Sequence, residues 1–102
     1  MRLGFIGAGN MAQAMIGGIL AKEIVKKEDI IASAATQNTI DKVAKEFGIN
    51  VTLDNREVAK ADIVFLAVKP FYYEEVIDGI KEVVDEKQLI IIIKAHKLRR
   101  LE

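Results

Sequence analysis

Gly7, Gly9 and Ala12 stand in the spacing Gly-x-Gly-x-x-Ala. Small residues at that spacing suit one task, the holding of a diphosphate against main-chain N–H groups. The first glycine permits a tight turn, the second puts no side chain between backbone and pyrophosphate, and the third small residue lets a helix pack closely on a strand. The spacing carries this meaning only between a strand and a helix. Residues 3–6 form a short apolar run that reads as a buried strand, and Ala12, Met15, Ile16, Ile19 and Leu20 recur at helical spacing. A helix starting there points unpaired N–H groups and the positive end of its dipole at the phosphates. The competing reading of the same glycines is a tight βα turn that binds nothing. Their place between strand and helix favours dinucleotide binding.

A dinucleotide site of this kind takes the adenosine ribose about 20 residues further on, where an Asp or Glu accepts from the ribose hydroxyls when the cofactor is NAD. The corresponding stretch is Ser33-Ala34-Ala35-Thr36-Gln37-Asn38, which has no acid. A carboxylate there would repel a 2′-phosphate. Its absence, with Ser33, Thr36 and Gln37 as hydrogen-bond donors, favours NADP. The same stretch lacks the Arg or Lys that NADP sites often carry, so NAD stays open as the alternative, as does a merely solvated polar loop.

These residues need a scaffold, and the rest of the chain supplies its pattern. Residues 30–33 read as a second strand. Asn38 or Thr39 can cap a helix with Ile40, Val43, Ala44 and Phe47 on its apolar face, stopped by Gly48. Residues 50–53 form a third strand. Asp54 and Glu57 have the spacing of a capping box, opening a short helix to Lys60. Residues 62–68 are nearly all apolar, as in a strand covered on both faces. Pro70 suits the first turn of a helix, and Tyr73, Val76, Ile77, Ile80, Val83 and Val84 follow at helical spacing. Residues 89–93 are the fifth strand. Strands alternating with helices predict an α/β fold, a doubly wound parallel sheet of Rossmann-like kind with strand order 3-2-1-4-5. Tyr72 and Tyr73 are expected to cover the sheet.

Composition narrows the function classes. A chain of 102 residues is one small domain, and 51% hydrophobic residues suffice for one core. Fifteen basic and 15 acidic residues cancel, so nothing favours nucleic acid as a partner. The absence of Cys excludes thiolate metal sites and a thiol nucleophile, and the single His96 cannot build a histidine metal site alone. The apolar runs are too short to span a bilayer, and the N-terminus lacks signal-peptide character. A cytoplasmic protein is the expectation. Residues 94–102, Lys-Ala-His-Lys-Leu-Arg-Arg-Leu-Glu, are basic and lack a turn signal. They read as an atypical tail, foreign or frame-shifted, with a natural basic helix as the alternative. The domain proper is then residues 1–93.

The segments Gly4-Phe5-Ile6-Gly7-Ala8-Gly9-Asn10-Met11-Ala12 and Ala14-Met15-Ile16-Gly17-Gly18 resemble the opening of pyrroline-5-carboxylate reductases. So does Ala61-Asp62-Ile63-Val64-Phe65-Leu66-Ala67-Val68-Lys69-Pro70, with its Val-Lys-Pro ending, and Asn55 followed by Glu57-Val58 is a third likeness. The resemblance covers about residues 1–93, the amino-terminal nucleotide domain of that family. It implies reduction of 1-pyrroline-5-carboxylate to proline with NAD(P)H, as part of proline biosynthesis. It also implies roles. Ile6, Gly7, Ala8, Gly9, Asn10 and Met11 would form the pyrophosphate loop, with Asn10 as either a cofactor contact or a helix cap. Ser33 would sit at the ribose or its 2′-phosphate, with Thr36 beside it. Asn55 would contact the adenosine side, and Ala67, Val68, Lys69 and Pro70 would lie beside the nicotinamide.

The chain departs from the family after its fifth strand, where Lys94-Ala95-His96 replaces a glycine-containing turn. The resemblance implies a helical second domain that makes the homo-oligomer and most of the substrate pocket, and the expectation is that these residues do not include it. The expectation is a cofactor-binding domain inactive by itself, with no catalytic residue to name. Two other readings stand beside it: a nucleotide-sensing regulatory module, and a related imine or hydroxyacid reductase.

Overall fold

The computed structural model describes residues 1–93. His96 and the tail from Lys94 to Glu102 lie outside the described residues. Five strands form one parallel sheet: β1 (Leu3–Ile6), β2 (Ile30–Ser33), β3 (Asn50–Thr52), β4 (Ile63–Leu66) and β5 (Leu89–Ile92). Their spatial order is β3-β2-β1-β4-β5, the doubly wound order that the alternation of strands and helices predicts. The connecting helices are α1 (Asn10–Ala21), α2 (Gln37–Phe47), α3 (Asn55–Val58) and α4 (Tyr73–Ile80).

Alternation along β1 explains the two cores. Leu3 and Phe5 join Ala12, Ile16, Ile30, Ala32 and Val43 under α1 and α2. Ile6 joins Ile31, Val58, Ala61, Val64, Leu66 and Ile80 under α3 and α4. Successive side chains point to opposite faces of a strand, so a central strand covered on both sides must be apolar throughout, as β1 is. Gly4 faces α3 at close range. A Cβ there would lie 2.7 Å from both Val58 Cγ1 and the Val58 carbonyl. Glycine at this position lets α3 lie on the sheet.

Several boundaries differ from those expected. Thr36, rather than Asn38 or Thr39, caps α2: its Oγ1 accepts from Thr39 N at 3.4 Å. The first turn of this helix is polar, so the apolar pattern that begins at Ile40 marks its start late. Gly48 closes the helix in the left-handed conformation, φ 68°, as expected of a C-terminal stop. The Asp54–Glu57 capping box is only half formed. Asp54 Oδ1 accepts from Arg56 N, while Asp54 N donates to Thr52 Oγ1 at 3.0 Å and leaves nothing for Glu57 to cap. β3 and β4 are shorter than the stretches that signal them: both leave the ladder early at the C-terminal end to build the loops of the site, and β4 also begins one residue late, at Ile63. Pro70 opens a 3₁₀ turn (Pro70–Tyr72) ahead of α4. α4 ends at Ile80, and Val83 and Val84 lie beyond it, packed against the second core from a turn. No helix among the described residues is long and apolar enough to cross a membrane.

β5 pairs with β4 alone among the described residues, and its four side chains are 36–54% exposed. An apolar strand with a free hydrogen-bonding edge invites pairing with another chain. Self-association that grows with concentration is therefore expected in sedimentation velocity, and Ile91→Lys should suppress it. A monomer across a hundredfold concentration range would contradict this.

Candidate functional site

The C-terminal ends of the strands open on one cleft of about 810 Å³, within the range of small-molecule sites. Four segments wall it. Gly7, Ala8 and Gly9 follow β1. Ser33, Ala34, Ala35 and Thr36, with Thr39, follow β2. Leu53, Asp54, Asn55 and Arg56 follow β3. Ala67, Val68 and Lys69, with Tyr72, Glu75, Val76 and Gly79, follow β4.

The two loop glycines answer to different constraints. Gly7 has φ 96°, a backbone conformation that favours glycine. A Cβ at Gly7 would also meet Val68 Cγ1 at 2.8 Å and the Ala67 carbonyl oxygen at 3.0 Å. The fold itself demands this glycine. Gly9 has an ordinary φ of −81°, and a Cβ there would meet nothing within 4 Å. The fold makes no such demand at Gly9, which faces open space at the N-terminus of α1.

The main-chain donors divide in the same way. Gly7 N and Ala8 N both donate to the Ser33 carbonyl, at 3.1 and 2.8 Å, tying the loop to the end of β2. Among the described residues no hydrogen bond within the chain reaches the N–H groups of Gly9, Asn10, Met11 or Ala12. The first turn of a helix leaves such donors orphaned. Gly9 is the N-cap and supplies no side chain. Asn10 is the first helical residue and caps nothing, which removes the capping role as an explanation for it. Gln13 Nε2 donates to the Ala8 carbonyl at 2.9 Å, steadying the loop from inside the helix. An open glycine surface with four unpaired amides fits a diphosphate.

Ser33 is fully buried, and its hydroxyl donates to Asn55 Oδ1 at 2.5 Å. That bond fastens the start of α3 over the end of β2, bringing together two residues far apart in the sequence. Thr36 Oγ1 and Thr39 Oγ1 lie 3.1 Å apart at the mouth. Gln37 turns away to Asp41, 2.9 Å from its amide nitrogen. Ile6 is buried in the second core. Asn10, Met11 and Pro70 stand outside the cleft wall. Tyr73 covers the sheet as expected, its hydroxyl donating to the Ile93 carbonyl at 3.2 Å. Tyr72 does not: it packs edge-on against Phe71, ring centroids 5.2 Å apart, and faces the cleft. Nothing in the sequence marks Asp54, Arg56, Glu75 and Val76 as site residues: Asp54 reads as a helix cap and Val76 as part of an apolar helix face, and topology alone brings the β3 and β4 loops to one place.

The protein family described as NADP oxidoreductase, coenzyme F420-dependent, matches residues 2–96. The chain belongs to this family. Among curated relatives, pyrroline-5-carboxylate reductase 3 of Danio rerio is 38% identical over 96 residues, which is 93% of this chain and 33% of the relative. The Pseudomonas aeruginosa pyrroline-5-carboxylate reductase is 41% identical over 95 residues, 92% of this chain and 34% of the relative. The solved pyrroline-5-carboxylate reductase of Coxiella burnetii superposes with a TM-score of 0.85 at 33% identity, covering 90% of this chain and 34% of that one. The Plasmodium falciparum pyrroline carboxylate reductase, solved with NADP bound, gives 0.77 at 32% identity, covering 91% and 33%. Within the family, the chain is a pyrroline-5-carboxylate reductase-like domain. It spans about a third of the length of the curated relatives it matches.

Proposed function

We propose that this chain is the NADP(H)-binding domain of a pyrroline-5-carboxylate reductase, and that it is incomplete for turnover. The observation that carries the reading is Gly9. Its backbone is unstrained, and the open space beside it adjoins four unpaired amides, its own among them, which gives a diphosphate both room and donors. Membership of a family of NADP oxidoreductases and likeness to a relative solved with NADP support the choice of cofactor.

In this reading Gly9, Asn10 and Met11 hold the diphosphate by main-chain N–H groups at the positive end of α1. Gly7 and Ala8 act indirectly, by anchoring the loop on the Ser33 carbonyl. Asn55, held by Ser33, flanks the adenosine half. Ala67, Val68 and Lys69, at the carboxyl end of β4, flank the nicotinamide half, with Pro70 directing the chain into α4. The nicotinamide, when bound, supplies a hydride from its C4 to the carbon of a cyclic imine. These residues orient it and shape the wall that excludes water. The proton taken up by the imine nitrogen would come from water or from residues beyond this domain. Residues beyond this domain would complete the substrate pocket and the oligomer.

Titration of the purified chain with NADPH, followed by nicotinamide fluorescence, should saturate at one site. An assay with 1-pyrroline-5-carboxylate and NADPH should show no turnover above background. Absence of saturable binding by the folded chain would refute the cofactor assignment, and robust turnover would refute incompleteness. Saturable binding by a full-length protein that reduces no imine would instead favour a nucleotide-sensing module.

A further inference from the structure

The stretch that normally discriminates between the two nicotinamide dinucleotides, residues 33–38, holds neither an acid nor a base. The fold brings a cation to it from elsewhere. Asn55 is fixed over the end of β2 by its bond from Ser33, and the next residue, Arg56, lines the same cleft as Thr36 and Thr39. The end of β2 is where doubly wound domains take the adenosine ribose. The side chain of Arg56 is exposed and makes no ion pair or hydrogen bond among the described residues. The neighbouring carboxylate, Asp54, accepts from Arg56 N at 2.9 Å and is thereby turned to its own helix. The other cation of the cleft, Lys69, follows β4, and β1 lies between β4 and β2. At about 4.8 Å per strand, β2 and β4 are roughly 10 Å apart, so Lys69 serves the opposite half of the cofactor.

We propose that Arg56 is the specificity-determining residue that selects NADPH over NADH, by pairing its guanidinium with the 2′-phosphate of the adenosine ribose. Thr36 and Thr39 offer hydroxyl donors to the same phosphate. The selecting charge thus comes from the β3–α3 segment and not from the β2–α2 loop. The proposal rests on the cofactor reading above, and its test separates the two.

Dissociation constants for NADPH and NADH are measured on the chain and on Arg56→Ala, Arg56→Lys and Asp54→Asn, with a thermal melt of each. Arg56 is exposed, so its variants should melt like the parent. Loss of a charge-assisted phosphate contact should raise the NADPH constant of Arg56→Ala about ten- to hundredfold, with NADH moved less than about twofold. Arg56→Lys should recover part of the loss, since it keeps the charge without the bidentate fork. Asp54→Asn keeps a good helix cap and should hold or tighten NADPH binding. Equal weakening of both cofactors by Arg56→Ala, or NADPH binding unmoved by it, overturns the proposal. Loss of NADH binding in Asp54→Asn alone would do the same, making ribose-diol recognition by Asp54 the determinant. A parent chain that binds neither dinucleotide sinks the cofactor reading itself.

Discussion

Gly9→Ala should leave the domain folded and strip it of NADPH, while Gly7→Ala should do its damage to the fold before any cofactor is added. The two positions lie two residues apart in one turn, but the forces on them differ. At Gly7 an L-residue must adopt φ near 96°, which costs about 1–2 kcal/mol. Its Cβ must also enter space held by Val68 Cγ1 and the Ala67 carbonyl, and overpacking of that kind adds about 1–3 kcal/mol. A loss of about 2–5 kcal/mol in urea unfolding of the free domain follows. At Gly9 the backbone is unstrained and the Cβ meets no atom of the chain. Alanine is a poorer N-cap than glycine, but it also restricts the unfolded chain, and the two effects oppose each other. Stability should change by less than about 1 kcal/mol. The methyl group instead occupies the place proposed for the diphosphate, and NADPH affinity should fall at least about tenfold. Wild-type affinity in Gly9→Ala would remove the diphosphate from this turn.

Phe5→Ala should cause the largest loss of stability, about 3–5 kcal/mol. Phe5 is fully buried in β1 and stacks on Phe65 of β4, ring centroids 4.7 Å apart and planes 14° from parallel. Truncation leaves a cavity that the surrounding Ala12, Ile16 and Val43 can only partly fill. Against a total of about 5–15 kcal/mol for a domain, this brings the protein close to unfolding at room temperature, and the midpoint should fall by at least about 12 °C. Phe5 does not line the cleft. Saturating NADPH, at a hundred times its dissociation constant, should therefore stabilise parent and variant by the same increment, about 2.7 kcal/mol. An increment that vanished in the variant would mean that the site shares the fate of this core face.

Much of the architecture is legible in the residue pattern, and the reason is physical. The apolar run at residues 3–6 is buried on both faces, and that at 63–66 is buried on one face and half-buried on the other, so nearly every position must be apolar. Helices that cover a parallel sheet must alternate with its strands, and that alternation leaves few strand orders. Element ends are less legible. Thr36 caps α2 although Asn38 and Thr39 stand nearer the apolar pattern, because a solvent-facing first turn carries no hydrophobic signal. Val83 and Val84 keep helical spacing after α4 has ended, since a turn can bury apolar side chains as a helix does.

The sequence by itself determined that a strand, a glycine turn and a helix open the chain, and that small residues there suit a diphosphate. It could not separate the two glycines. The left-handed backbone at Gly7 and the crowding by Val68 belong to the meeting of the β1 and β4 loops, while the emptiness at Gly9 is a property of the cleft. Nor could it put Arg56 in the same cleft as Thr36, or Tyr72 at the cleft rather than on the sheet. These neighbours are separated by whole elements of chain. Only the parallel order of the sheet, with every strand ending on the same side, brings their loops to one rim.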